Sequence, residues 1–335
     1  MPLDLDPQYC AMANDRVQRR LEQLKEVRIA GSSDATIKEL RAALNDRVNV
    51  IVAKAATIAD EWQERTLLPD LLKAFERLFL KAATADPQCS GKNAISKALK
   101  NLGCAESAVF LRGLRHRQWE SVWGGKTDTA GVLRGTCALA LVQCTDIPRH
   151  ETLVDLIDAL TESDAGVRAD AARAVEQMGG RDATLLLRLK ARTGDKEVRV
   201  TGQVLESVLQ LEGAGGVSFV AGFLQDANEE VSEEAALALG ASRLPEAVEV
   251  LKDAWLKQAP RGGAALLRAI SASRLDPAVD FLLDQVRTAR LHTAEEALRA
   301  LELHRDSEQI VKRVEEAVLS REELRCLFQE RFGNA

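Results

Sequence analysis

The sequence predicts an all-α protein made of stacked helical hairpins. Three observations carry this. The 335 residues include 50 Ala and 47 Leu, which are strong helix formers. Aromatic residues are only 4% of the chain, whereas sheets favour aromatic and β-branched residues. A helix pattern also returns at Val167, Val198, Val231, Gly263 and Thr293, about every thirty residues. At this length two globular domains of ~150 residues each would be usual. A stack grows instead by adding hairpins, so residues 1–335 read as one solenoid.

Asp164–Gly179 sets the pattern. Val167, Ala171, Ala174, Val175 and Met178 recur at helical spacing and form one apolar stripe. Asp164 stands at the cap position, and Gly179-Gly180 ends the helix. Later copies run Asp195, Val198, Arg199, Gly202, Leu205, Leu209; then Val231, Ala235, Ala236, Ala238, Leu239; then from Gly263 and from Thr293. Partner helices fall at 150–162, 182–193, 215–226, 246–258 and 277–289, with Gly, Asp or Pro in the short turns between. No helix could bury its stripe alone, but stacked neighbours can. Upstream, second helices begin near Val48, Gly91 and Val132 at wider spacing, with stretched first helices such as 66–85. Residues 8–30 form a leading helix and 307–331 a charged trailing pair. The regions are thus 8–149, longer and irregular; 150–305, short and regular; and 306–335, a cap.

The string Asp-x-x-Val-Arg-x-x-Ala-Ala-x-Ala-Val, met at Asp164–Val175, resembles the second helix of HEAT-like repeats, in particular the short phycobilisome-lyase type. Asp195–Leu209 keeps the Asp and Val-Arg; Val231–Leu239 keeps the spacing but has Ser232 where Arg is usual. The resemblance covers about 150–305. It implies a right-handed superhelix of about eight hairpins with capping helices. It also implies that Asp164 and Arg168 brace consecutive hairpins. On function it spans scaffolds, bilin lyases and alkylpurine DNA glycosylases.

Charge and cysteines narrow the classes. The net charge is −6, yet residues 1–150 hold 22 basic against 18 acidic residues, leaving the excess acid to the rest. The six cysteines show no C-x-x-C and no zinc spacing with His. Cys137 and Cys144 share a helix side, as small core residues do. The opening Met1–Pro7 is acidic where a signal peptide is basic, and no run reaches 18 apolar residues. A cytoplasmic protein is the expectation, with no cofactor and no metal.

Residues 110–135 break the pattern. On a continuous helix Arg112, Arg115 or His116, Trp119 and Trp123 would share a face. Such a face, with Arg134 nearby, can anchor a partner peptide, stack on a flat ligand or grip a carboxylate or phosphate. Alternatively, the two Trp fill the wider core of a long repeat. Gly125-Lys126-Thr127 mimics a P-loop, but Glu120 stands where its first Gly belongs. His150-Glu151 mimics a zincin, but Val154 replaces the second His. His292 and His304 read as surface residues, and Asp226, Glu229, Glu230, Glu233 and Glu234 as a solvated face.

No catalytic constellation stands out, so the leading expectation is a non-catalytic scaffold for a protein or peptide. Arg112, Arg115, His116, Trp119, Trp123 and Arg134 are its candidate contacts. A nucleic-acid-binding solenoid and a bilin lyase or its chaperone are the alternatives; the net charge disfavours nucleic acid.

Overall fold

The computed structural model describes residues 7–258 and 263–333. The Met1–Asp6 stretch weighed as a leader lies outside them. The chain divides into two compact units, Met1–Ala174 and Val175–Ala335. The first holds 24 residues of each charge sign; the second holds 21 basic and 27 acidic. The basic excess of 1–150 therefore vanishes at the structural boundary.

The first unit contains α1 (Pro7–Ala30), α2 (Asp34–Leu44), α3 (Asn49–Glu61), α4 (Leu68–Leu78), α5 (Ala82–Ala85), α6 (Ser90–Asn101) and α7 (Ser107–Leu114). Two strands follow, β1 (Trp119–Val122) and β2 (Gly125–Asp128), then α8 (Gly131–Leu141), α9 (Arg149–Leu160) and most of α10 (Ala165–Met178). The second unit runs through α11 (Gly180–Thr193), α12 (Val198–Glu212), α13 (Ala214–Ala221), α14 (Glu229–Ala241) and α15 (Pro245–Gln258). It continues with α16 (Gly263–Ala272), α17 (Asp276–Thr288), α18 (Leu291–Leu301), α19 (Glu308–Val318) and α20 (Arg325–Phe332). The fold is all-α, with one two-stranded sheet among the described residues.

Within each unit, second helices lie side by side. In the first, α3 packs on α6 and α6 on α8; in the second, α12 packs on α14, α14 on α16 and α16 on α18. This is the layering of an α-solenoid. The buried stripes are rich in Ala, such as Ala55, Ala56 and Ala59 on α3 or Ala235, Ala236 and Ala238 on α14. Small side chains let helices approach closely. At Gly240 the backbones come so near that a Cβ there would strike the Ala269 carbonyl.

The burial pattern fixes a register through these helices. Lys92, Arg134 and Arg168 occupy one equivalent position in the first unit, and all three are buried. Each follows an acid six residues earlier: Asp86, Asp128 and Glu162. Lys92 Nζ lies 3.0 Å from Asp86 Oδ2, with both side chains fully buried. Arg134 Nη1 lies 2.7 Å from Asp128 Oδ2. Arg168 Nη1 donates to the Glu162 and Ser163 carbonyls at 2.7 and 2.9 Å. These cations satisfy the carbonyls and acids of the turn that enters the helix. Asp164 Oδ1 accepts from the Val167 N–H at 3.1 Å, a cap of the expected kind.

Four expectations need correction. The stretched helix 66–85 is broken into a 3-10 turn at Arg65–Leu67, then α4 and α5, with Lys81 at φ +56° between them. The sequence motif aligned Val198-Arg199 with Val167-Arg168, but Arg199 is exposed and Val200-Thr201 is the buried pair. Cys144 lies beyond the end of α8, so it does not share a helix side with the buried Cys137. His304 is buried and its Nε2 lies 3.1 Å from Ser271 Oγ; burial depresses its pKa. His292 is exposed.

Candidate functional site

The helix expected across 110–123 stops at Leu114. Arg115 caps it, and residues 119–128 fold back as an antiparallel hairpin pairing Trp119 with Asp128 and Val122 with Gly125. The residue types explain the switch. Trp, Val and Thr favour strands, and Trp123-Gly124 makes a two-residue turn. Gly124 takes φ +90°, a conformation that costs a residue with a Cβ roughly 1–2 kcal/mol. The strand-favouring Trp119, Val122 and Thr127 on either side of the Gly pair 124–125 were the available signals.

An isolated two-stranded hairpin is marginal in water. This one is tied at its root. Glu120 Oε1 accepts from the Gln88 N–H at 2.7 Å, from Gln118 Nε2 at 2.6 Å and from Thr129 Oγ1 at 2.8 Å. Burial would raise the Glu120 carboxyl, but these bonds prevail and hold it below its usual value. Gln118 Nε2 also donates to the Asp86 carbonyl at 2.8 Å. Asp128 Oδ1 accepts from the Gln118 and Ala130 N–H groups at 3.0 and 3.1 Å. Asp128 is likewise depressed, because those bonds and Arg134 outweigh desolvation. The hairpin root therefore stands on the Lys92–Asp86 and Arg134–Asp128 pairs.

The turn that precedes α6 is strained at the same place. Gln88 and Cys89 both have positive φ, +56° and +54°. Asp86 secures this turn by accepting from the Gly91 and Lys92 N–H groups at 2.7 and 2.9 Å and from Asn49 Nδ2 at 3.0 Å. Cys89 is buried here, and desolvation pushes its thiol up to about 11, so it is no nucleophile at neutral pH.

The six candidate residues separate into three groups. Arg112 lies over the Phe79 ring at 4.5 Å and pairs with Glu76. Arg115 pairs with Asp155 at 2.8 Å. His116 meets Phe79 edge-on, with ring centroids 4.9 Å apart, and its Nε2–H donates to Gln118 Oε1 at 3.2 Å; burial lowers its pKa. Arg134 is only 1% exposed. It holds Asp128 and the His116 carbonyl, so it acts inside the fold and offers a partner no surface. Trp119 and Trp123 belong to the hairpin, at 62% and 106% exposure. They therefore do not fill a wider core, and no helix face carries them together with the arginines. Sequence reasoning missed Asp86, Gln118, Glu120 and Asp128, because their roles depend on contacts across the turn and the hairpin.

A cleft of about 200 Å³ opens beside the root. Leu114, Ala159 and Val167 line it with Arg115, Arg117 and Asp158. Arg117 is paired with Glu162, which is largely buried.

No protein-family profile matches this chain, and no curated protein matches it. Among solved structures it is similar to human deoxyhypusine hydroxylase in complex with glycerol, at 18% identity, 77% of this chain, 91% of that chain and a TM-score of 0.29. It is also similar to an engineered protein, at 16% identity, 94% of this chain, 95% of that chain and a TM-score of 0.31. Likenesses this distant assign no activity. Among the described residues no group of His, Cys, Asp or Glu could hold a metal ion. No helix among them is long and apolar enough to cross a membrane.

Proposed function

We propose that the protein is a non-catalytic scaffold that binds a protein or peptide through the Trp119–Trp123 hairpin. The reading rests on one observation: Trp123 is fully exposed at the tip of a hairpin whose base is fixed by buried ion pairs. Trp is the residue type most enriched at binding hot spots. A rigid base lowers the ordering entropy lost on binding. Val122, 49% exposed, widens the apolar tip, and the cleft at the root offers a second foothold with charged walls. Arg115, paired with Asp155, lines that cleft. HEAT-like helical repeats are the carrier in this reading, supported by the six-residue acid–base spacing.

The test is affinity capture from the native host with the wild type, Trp123→Ala and Trp119→Ala. A partner recovered by the wild type and lost with Trp123→Ala, at unchanged circular dichroism, supports the reading. An identical partner set with both variants removes the hairpin from consideration.

A further inference from the structure

The second unit holds a cavity of about 450 Å³. Its floor is apolar: Leu224, Ala236 and Leu266 are 5%, 1% and 4% exposed. Its rim is acidic, formed by Asp226, Glu229 and Glu233, with Lys257 as the one cation among the described residues of the lining. Among the described residues Glu229 and Glu233 have no hydrogen bond to their side chains and no ion pair, and both are exposed. The unit around them carries the whole −6 of the chain. An apolar floor beside the Glu229 and Glu233 carboxylates, unpartnered among the described residues, suits an apolar group carried next to a cation.

The Trp123 hairpin has that composition. Lys126 pairs with Ser121 across the strands, is exposed, and has no ion-pair partner among the described residues. Trp123 stands three residues away at the tip. An indole is small enough for a cavity of this volume. Its burial would remove from water the most exposed large apolar side chain found here.

We propose that the hairpin of one copy docks into this cavity of a second copy. This rests on the reading of the hairpin as a binding anchor and names its occupant. Trp123 would lie on Leu224, Ala236 and Leu266, and Lys126 would meet Glu229 and Glu233. Plug and socket are different surfaces, so the contact is heterologous. Each copy then offers both a free plug and a free socket, and the assembly extends or closes into a ring. Charge at the rim makes it weaken as salt rises.

Analytical ultracentrifugation of the full chain across a concentration series tests this. The wild type is expected to associate in a concentration- and salt-dependent way. Trp123→Ala should weaken association at least ~30-fold, the hot-spot threshold. Lys126→Glu and Glu233→Arg should each weaken it as well. The decisive arm mixes Trp123→Ala, which keeps the socket, with Glu233→Arg, which keeps the plug. Two variants that are monomeric alone should form a 1:1 dimer that cannot grow. A wild type that stays monomeric throughout overturns the proposal. So does association that Trp123→Ala leaves intact, or a mixture that stays monomeric. A monomeric wild type that still captures a different protein through Trp123 defeats self-docking and leaves the binding role standing. Loss of neither by Trp123→Ala defeats both. Thermal melts of each variant confirm folding, and Lys126→Glu reports on the plug without altering its aromatic tip.

Discussion

The two units solve the same entry turn in different ways. In the first, the shared second-helix position holds Val52, Lys92, Arg134 and Arg168, all buried, and three of the four are cations. In the second, it holds Thr201, Ser232, Gly263 and Ala294. Ser232 still serves the turn, donating Oγ–H to the Leu224 carbonyl at 2.7 Å. A hydroxyl reaches one nearby carbonyl, whereas a long cation can hold a carboxylate and a carbonyl at once. The second unit's turns are accordingly short, with equivalent positions 31 residues apart from Thr201 to Ser232, Gly263 and Ala294. In the first unit the turns before α6 and α8 carry extra residues, and before α8 these have become a hairpin. Buried cations thus stand behind both inserted turns, at Lys92 and Arg134, and also behind the short turn before α10, at Arg168.

The largest expected effect breaks this device directly. Asp86→Ala leaves Lys92 buried and uncompensated, so it should destabilise the first unit by about 3–5 kcal/mol. Ser232→Ala, at the equivalent position of the second unit, loses one neutral hydrogen bond worth about 1 kcal/mol. Urea unfolding of both variants checks the ranking, and equal losses would refute it.

Arg134→Met comes next. It removes the contacts to Asp128 and the His116 carbonyl, and a loss of about 3 kcal/mol is expected for one half of a buried pair. The loss should be local. Hydrogen exchange should speed up at Gln118, Thr127 and Thr129 while α12–α18 keep their protection. Arg134→Lys should recover only part, because an ammonium lacks the planar fork that spans both partners.

Much of the fold was legible because periodicity is a local property. Leading helix, partner helices and second helices lie within a few residues of their predicted places. The motif Asp-x-x-Val-Arg misled at Arg199 because spacing along the chain differs from register in space: two extra residues precede the buried Val200-Thr201 pair. The candidate site was half legible. Scarcity of aromatics made Trp119 and Trp123 conspicuous, but Arg112 and Trp123 also fit a helical spacing, which concealed the hairpin. His304 looked like a surface residue because its partner Ser271 is distant in sequence.

Acidification should separate the hairpin from the second unit. Asp128 and Glu120 have folded pKa values below their usual 3.8 and 4.5. Their contribution is therefore full above about pH 4.5 and is lost as pH falls through the lowered values. His116, depressed below 6.5, adds a loss of the same sign as pH drops below ~6.5. Glu234 on α14 behaves oppositely. Burial and the nearby Glu233 and Glu206 raise its pKa, so the penalty of its charged form is relieved as pH falls. Amide exchange at pH 3 and pH 7 should show the hairpin loosening first. A hairpin that stays protected while α14 opens would contradict these assignments.

The smallest expected effect is the most informative about purpose. Trp123 is fully exposed and the tip around it is open, so Trp123→Ala removes almost no buried area. Its stability change should stay within ~0.5 kcal/mol, the range of ordinary surface substitutions. Phe110→Ala, by contrast, empties a fully buried site on α7 and should cost about 3–5 kcal/mol. Melting both variants beside the wild type makes the comparison. A large loss at Trp123 would mean that the indole packs against the fold in solution and is not offered outward. A negligible loss means that folding does not depend on the indole, which leaves it free for the docking proposed above.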